Sequence, residues 1–181
     1  ASLGTLGIRA PGFDRPGALT TPDPVVLHAA LAELAGRGVA RTAIEASSHG
    51  LDQYRLDGIR ITAAAFTNLT RDHLDYHHSM ADYRAAKFRL FDEVMAPGGV
   101  AVLNADTVEF AALAEICGRR GHRVVGYGEA GEEIRLLRQE LHADGQHLGL
   151  RVAGREWEID FPLAGAFQAM NALAALGLVL A

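Results

Sequence analysis

The sequence has a single cysteine, Cys117, so no internal disulfide can form. That excludes a disulfide-stapled secreted scaffold and fits a reducing, cytoplasmic setting. Cys117 ends the stretch Leu113-Ala-Glu-Ile-Cys117, which reads as a helix face where a small buried hydrophobe is at home. Basic residues are also short: 17 Lys and Arg against 22 Asp and Glu give a formal charge of −5. A nucleic-acid groove needs a basic face, so no nucleic-acid partner is expected. No apolar run approaches the roughly 18 residues of a membrane span. Ala1 to Arg9 lacks the basic start and apolar core of a signal peptide, so no membrane partner is expected either. Internal repeats and low-complexity tracts are missing too. Ala1 is not an initiator Met, and Ala172 to Ala181 stops inside an apolar, helix-like run. A piece of a longer chain is expected.

What is present is ordinary for a soluble globular protein, with 49% hydrophobic and 22% charged residues in 181. A domain of this size buries roughly 70% of the surface its unfolded chain exposes. Residues 1–23, rich in Gly, Pro and Thr, read as a loop that closes on Leu19-Thr-Thr-Pro-Asp-Pro24. Thr20 or Thr21 is either an N-cap or a ligand contact. Val26, Leu27, Ala30, Leu31 and Leu34 recur at a helical period over Val25 to Arg37, with Gly36 and Gly38 ending the helix. Val39 to Ala46 and Ile61 to Thr67 are short apolar runs that fit buried parallel strands. Ser79 with Asp82 resembles a capping box and opens a helix striped by Tyr83, Ala86, Leu90, Phe91 and Val94. After the break at Pro97-Gly-Gly99, Val100 to Asn104 reads as strand, Thr107 to Arg119 as helix and Arg123 to Tyr127 as strand.

This alternation predicts an α/β fold with a mostly parallel sheet flanked by helices. From Ile134 the rhythm changes. Asp144-Gly145 and Ala153-Gly154 are hairpin signals bounding Leu148 to Val152 and Trp157 to Phe161, which predicts a small antiparallel subdomain near 134–163. Ile134 to His142 reads equally as its first strand or as a helix. Gly165 leads into a terminal helix from Gln168.

The chemistry gathers at two strand ends, where an open α/β sheet places its ligands. One strand delivers Glu45-Ala-Ser-Ser-His-Gly-Leu51, and a carboxylate there costs free energy unless a metal or a cation pairs with it. The other delivers Phe66-Thr-Asn-Leu-Thr-Arg-Asp-His-Leu-Asp-Tyr-His-His78, which packs Asp72, His73, Asp75, His77 and His78 together. Either Asp can cap a turn, and His77 and His78 can sit in solvent. Gln53 and Arg55 can equally form a solvated face. Lys87 lies close to the apolar stripe of its helix, an odd place for a lysine that only solvates a surface. Oxygen ligands suit Mg²⁺ and imidazole can complete a divalent site. A desolvated lysine loses its proton more easily, and its free amine can add carbon dioxide to become a carbamate ligand. The spacing His73-x-x-x-His77 also allows a metal-dependent hydrolase, without the Glu of a zincin helix.

Three motifs in order, Glu45-Ala-Ser-Ser-His-Gly-Leu51, Phe66 to His77 and Tyr83-Arg-Ala-Ala-Lys87, closely resemble the central domain of the Mur ligases. The likeness extends over essentially the whole chain, including Leu19-Thr-Thr-Pro22 and Leu163 to Asn171. The Ser-Ser-His-Gly and Asp-His-Leu-Asp-Tyr-His forms resemble the branch of that family that adds the third amino acid of the peptide stem. The resemblance implies a P-loop-type α/β domain and an ATP-dependent amide ligase of peptidoglycan synthesis working through an acyl phosphate. Its substrates would be UDP-MurNAc-L-Ala-D-Glu and either meso-diaminopimelate or L-lysine, and its parent chain would be monomeric. It implies Mg²⁺ held by Glu45, His73 and a carbamylated Lys87, and it sets Thr20, Thr21, Ser47, Gln53 and Arg55 on the UDP-MurNAc-dipeptide. Asn68 and Asn171 would line the nucleotide. Family members carry Asn where this chain has Gln168, so Gln168 receives no role. The Gly-rich phosphate loop ending in Gly-Lys-Thr/Ser should lie upstream of Ala1, and the uridine-binding and amino-acid-binding domains lie outside the sequence. The fragment alone is therefore expected to be inactive. The alternatives are a folylpolyglutamate-synthase-like ligase, the hydrolase built on His73, and a non-catalytic nucleotide-sugar-binding fragment.

Overall fold

The computed structural model describes residues 1–71 and 75–181, so Asp72, His73 and Leu74 fall outside the described residues. The described chain gathers into two compact units, 1–60 with 71–94 and 61–70 with 95–181. Among the described residues no helix is long and apolar enough to cross a membrane.

In the first unit, residues 1–23 are not the loop that their composition predicts. They hold strands β1 (Ser2–Gly4), β2 (Gly7–Ala10) and β3 (Phe13–Arg15). With β4 (Ala43–Ile44) these form a sheet in the order β3-β2-β1-β4, antiparallel except for the parallel pair β1 and β4. Strands of three or four residues are too short to show a period in the sequence. Leu3, Ile8 and Phe13 anchor them by burial. Gly7 has φ +86° at the turn from β1 to β2, and a Cβ there would run into the backbone at Arg15.

Helix α1 (Pro24–Gly36) takes its N-cap from Asp23 and not from Thr20 or Thr21. Asp23 Oδ1 accepts from Val25 N–H at 3.0 Å and Val26 N–H at 3.1 Å, and Pro24 follows where its missing donor costs nothing. Leu27, Ala30 and Leu34 are buried, while Val26 is 51% exposed, so the apolar stripe is narrower than its period implies. The strand expected over Val39 to Ala46 shrinks to the two residues of β4. Val39 N–H instead closes on Leu34 O at 3.0 Å, after a left-handed turn at Gly38 (φ +80°). Helix α2 (Ser48–Asp52) is capped by Ser47. Helix α3 (Met80–Arg89) runs on into a π-helical turn, Leu90–Val94. Its capping box is as predicted: Ser79 Oγ accepts from Asp82 N–H at 3.1 Å and donates to the Asp82 carboxylate at 2.7 Å.

The second unit is built on strands β5 (Ile61–Phe66), β6 (Met95–Asn104), β7 (Arg123–Gly128), β8 (Ile134–Leu141), β9 (Gln146–Val152) and β10 (Arg155–Phe161). They lie in the order β10-β9-β8-β7-β6-β5. Pairs from β5 to β8 are parallel, and β8, β9 and β10 form an antiparallel meander. The antiparallel strands are thus hydrogen-bonded onto the parallel ones as one sheet. Burial of Ile134 and Leu136 on one face resolves Ile134 to His142 as a strand. Ala153 (φ 48°) and Gly154 (φ 78°) make the two-residue turn from β9 to β10, both left-handed as a type I′ hairpin requires.

Two helices cover this sheet, α4 (Phe110–Arg120) and α5 (Ala166–Val179). Alternate residues of β6 and β7 point to opposite faces. Gly126 of β7 faces the Phe110 ring of α4, whereas Val102 of β6 meets Gly177 of α5. On the α5 face Val102, Val125, Tyr127, Ile134, Leu136, Leu148 and Leu150 pack with Ala169, Leu173 and Ala174 into one core.

Candidate active site

A cavity of about 520 Å³ in the first unit is lined by Thr5, Thr20, Thr21, Glu45, Ser47, Ser48, Arg55 and Lys87, with Leu19, Ala46 and His49. Seven residues that carry the sequence-stated site fall here or touch its wall: Thr20, Thr21, Glu45, Ser47, Gln53, Arg55 and Lys87. They come from the end of β4, the capped start of α2 and the segment after its end, the loop before α1 and the helix α3. Each local structure has a reason to be where it is. The Ser47 cap starts α2 directly after β4, which turns the chain and leaves Glu45 at the cavity wall.

Glu45 is exposed, yet its carboxylate is held. Oε2 accepts from Thr5 Oγ1 at 2.8 Å and from Thr5 N–H at 3.1 Å. Gly4 packs so closely that a Cβ there would overlap the carboxyl group. Thr5 Oγ1 also lies 3.1 Å from Thr20 Oγ1. Thr21 is fully buried and serves as a strut: its hydroxyl donates to Glu45 O at 2.7 Å and accepts from Ser47 N–H at 3.0 Å. Arg55 donates through Nη1 to Thr21 O at 2.7 Å, and through Nε and Nη2 to Gln53 Oε1 at 3.1 and 2.5 Å. Such a pinned guanidinium is a preorganised partner for a carboxylate. Lys87 is half-buried, with Nζ 5.2 Å from the centre of the Tyr83 ring.

His73, the expected imidazole ligand, lies outside the described residues, as does Asp72. Asp75 and His78 are exposed. His77 is buried, not solvated, among the rings of Tyr76 (4.8 Å), Tyr83 (5.2 Å) and His49 (5.6 Å). Among the described residues no three His, Cys, Asp or Glu side chains cluster as a metal cage. Mg²⁺ needs none, because it keeps several waters and is bound by one or two carboxylates together with substrate phosphates. Glu45, set in hard oxygen donors at a cavity wall, fits that pattern.

Asn68 and Asn171 belong to the second unit and are both exposed. The turn that presents Asn68 is anchored twice. Tyr127 Oη donates to Phe66 O at 3.2 Å and Asn104 Nδ2 donates to Thr67 O at 2.8 Å. Burial, and then the Asp106 carboxylate, push the Tyr127 phenol well above its usual range, so it stays a donor at all ordinary pH. Asn171 Nδ2 contacts Gln168 Oε1 at 3.4 Å on the first turns of α5. Cys117 is fully buried and its thiol is pushed up to about 11 by that burial, so it is an inert core residue as expected.

Sequence reasoning passed over Thr5, Asp52, Tyr76 and Arg89. Arg89 clamps α3 to the segment after α2, reaching Asp57 at 2.8 and 2.5 Å and Leu51 O at 2.9 Å. Its bond to Asp57 raises its already high pKa. No local pattern in the sequence marks these residues, because their partners lie far along the chain.

The profile of the Mur ligase middle domain matches residues 1–179, and the chain belongs to that family. A UDP-N-acetylmuramoyl-L-alanyl-D-glutamate–2,6-diaminopimelate ligase of Agrobacterium fabrum is 50% identical over 180 residues, which is 99% of this chain and 37% of that protein. A solved structure of a ligase of the same name is 30% identical with a TM-score of 0.82, over 97% of this chain and 36% of that one. A more distant structure, an FPGS–AMPPCP complex, is 18% identical with a TM-score of 0.60 over 82% of this chain and 36% of its own, and shares the fold alone. The chain therefore spans little more than a third of the relatives it matches.

Proposed function

We propose that the protein carrying this chain is an ATP-dependent ligase that joins 2,6-diaminopimelate to UDP-N-acetylmuramoyl-L-alanyl-D-glutamate in the cytoplasm. The observation that carries this reading is the convergence of Glu45, Lys87, Ser47, Thr20 and Arg55 on one cavity. The name of the relative that is 50% identical supports the choice of amino acid over L-lysine. The chain here supplies the metal side and the acceptor side of the reaction.

In the first step an oxygen of the D-Glu carboxylate attacks the γ-phosphorus of ATP, and the bond from that phosphorus to the bridging oxygen of ADP breaks. In the second step the amine of diaminopimelate attacks the acyl carbon, phosphate leaves, and the amine loses a proton. Arg55 holds the acceptor carboxylate with its remaining N–H bonds, at a fixed angle because Gln53 and Thr21 O hold the rest. Thr20 and Ser47 orient the peptide through their hydroxyls, with Thr21 as the strut behind them. Asn68 and Asn171 are assigned to the nucleotide. Glu45, His73 and Lys87 are assigned to Mg²⁺, which when bound offsets the charge that gathers on the transferring phosphoryl group. Lys87 serves there as a carbamate: its neutral Nζ forms a bond to the carbon of carbon dioxide and releases a proton. That exchanges a cation for oxygen ligands.

The test is phosphate release by the full-length protein with ATP and Mg²⁺. Release should require both UDP-MurNAc-L-Ala-D-Glu and 2,6-diaminopimelate, and Glu45→Ala should abolish it. Release indifferent to the acceptor would end the ligase reading.

A further inference from the structure

The acceptor-side residues do not stand alone in the cavity wall; they are one end of a hydrogen-bond chain. Asp52 Oδ2 accepts from Tyr76 Oη at 2.7 Å, and Tyr76 Oη accepts from Gln53 Nε2 at 3.0 Å. Gln53 Oε1 in turn takes the Arg55 donors, and Arg55 Nη1 reaches Thr21 O. The Tyr76 ring also lies 4.0 Å from the His49 ring, which lines the cavity. Tyr76 stands three positions after His73, on the far side of the segment that the ligase reading assigns to the metal.

We propose that Tyr76, backed by Asp52, is a positioning residue that sets the specificity for the acceptor carboxylate by orienting Gln53 and through it Arg55. The inference rests on the ligase reading. A primary amide such as Gln53 has two chemically different ends, and Arg55, which can only donate, takes the carbonyl end. Tyr76 holds the other end. Its hydrogen is committed to the Asp52 carboxylate, so its oxygen can only accept, and it selects the NH₂ end of Gln53. The carbonyl end is then turned to the guanidinium, whose plane is fixed before any ligand arrives. Without the phenol the NH₂ end of Gln53 loses its acceptor, and the amide that holds the guanidinium plane is free to move. Preorganisation of this kind acts on binding of the group that Arg55 meets, not on the nucleotide.

The experiment is steady-state kinetics of full-length Tyr76→Phe, Asp52→Ala and Asp52→Asn beside the wild type. Phe keeps the ring against His49, and melting curves verify that each variant is folded. Tyr76→Phe should raise KM for UDP-MurNAc-L-Ala-D-Glu roughly three- to tenfold, the scale of one hydrogen bond, and leave KM for ATP unchanged. Asp52→Ala should do the same, the double variant should add nothing further, and Asp52→Asn, which retains an acceptor oxygen, should restore most of the affinity. Equal rises in both KM values, or a fall in kcat with the acceptor KM unchanged, would overturn the positioning role while leaving the ligase reading intact. A wild type without acceptor-dependent turnover would remove both.

Discussion

The two units of this chain are held together in different ways. The second has strands of up to ten residues and a continuous apolar core in which Val102, Tyr127, Ile134, Leu148 and Leu173 are at most 2% exposed. The first has strands of two to four residues and gathers its long-range polar contacts on a few side chains such as Thr5, Thr21, Arg55 and Arg89. Apolar burial is non-directional and proportional to area, so it makes a sturdy scaffold without fixing any one donor or acceptor. Hydrogen bonds and ion pairs contribute less apiece, yet each specifies an angle. The cavity lies where angles are specified.

The comparison can be broken most forcefully in the second unit. Leu173→Ala removes a side chain from the core beneath α5 and should cost about 2–5 kcal/mol, read by denaturant unfolding. The proton exchange of the β6 and β7 amides should rise with it. In the first unit the corresponding blow falls on a charge. Arg89→Ala leaves Asp57 and Leu51 O without their clamp and should cost roughly 1.5–3 kcal/mol, the scale of charged hydrogen bonds. Exchange should accelerate in residues 51–58 while β6 stays protected. If β6 loosened equally, the two regions would not be energetically distinct.

A smaller effect on stability, but a sharp one on the site, is expected from Gly4→Ala. The new Cβ must push the Glu45 carboxylate away from Thr5. Disturbing a carboxylate's supporting contacts typically costs about 10–100-fold in metal affinity. Mg²⁺ titration of the full-length protein measures it, with an unchanged melting temperature marking the loss as local.

The smallest effect is a pH dependence on the exposed face of β9 and β10. His147 bonds Asp160 at 2.7 Å and Glu158 at 2.9 Å, and chiefly the Asp160 bond raises its pKa above the ordinary value. A raised folded pKa means that protonated His147 stabilises the fold. That contribution is complete below the unfolded pKa of about 6.5 and is lost as pH rises through the folded value. His147→Gln should flatten this slight loss as pH rises above the unfolded value. Solvent screens the pair, so an unchanged slope on mutation would assign the dependence elsewhere.

Much of the second unit was legible in the sequence because its signals are local. Ala153-Gly154 supplies its own left-handed turn between two apolar runs. The strands β5 and β7 and the Val100–Asn104 half of β6 are short apolar runs, although β6 begins at Met95 and runs through the expected break at Pro97-Gly-Gly99. The first unit was less legible. The strands of residues 1–15 carry no period, and β4 fell to two residues once Val39 bonded back to Leu34. Of the site, Glu45 and Lys87 stood out by type and place in the sequence, whereas Ser47, Gln53 and Arg55 became candidates only through the resemblance to the Mur ligase motifs. Their partners could not be picked out, because Thr5 meets Glu45 across 40 residues and Tyr76 meets Asp52 across 24.

The sequence by itself determined the α/β class, the hairpin turn at Ala153-Gly154, the Ser79 cap and the residue types available for chemistry, since each depends on neighbours within a turn or a strand. Only the tertiary structure decided which atoms those residues face. It turned Thr21 into a buried strut, brought Thr5 to Glu45, and placed Tyr76 behind Gln53. The physical reason is that a hydrogen bond is directional over a few tenths of an ångström, whereas the pattern that folds the chain is satisfied by burial alone.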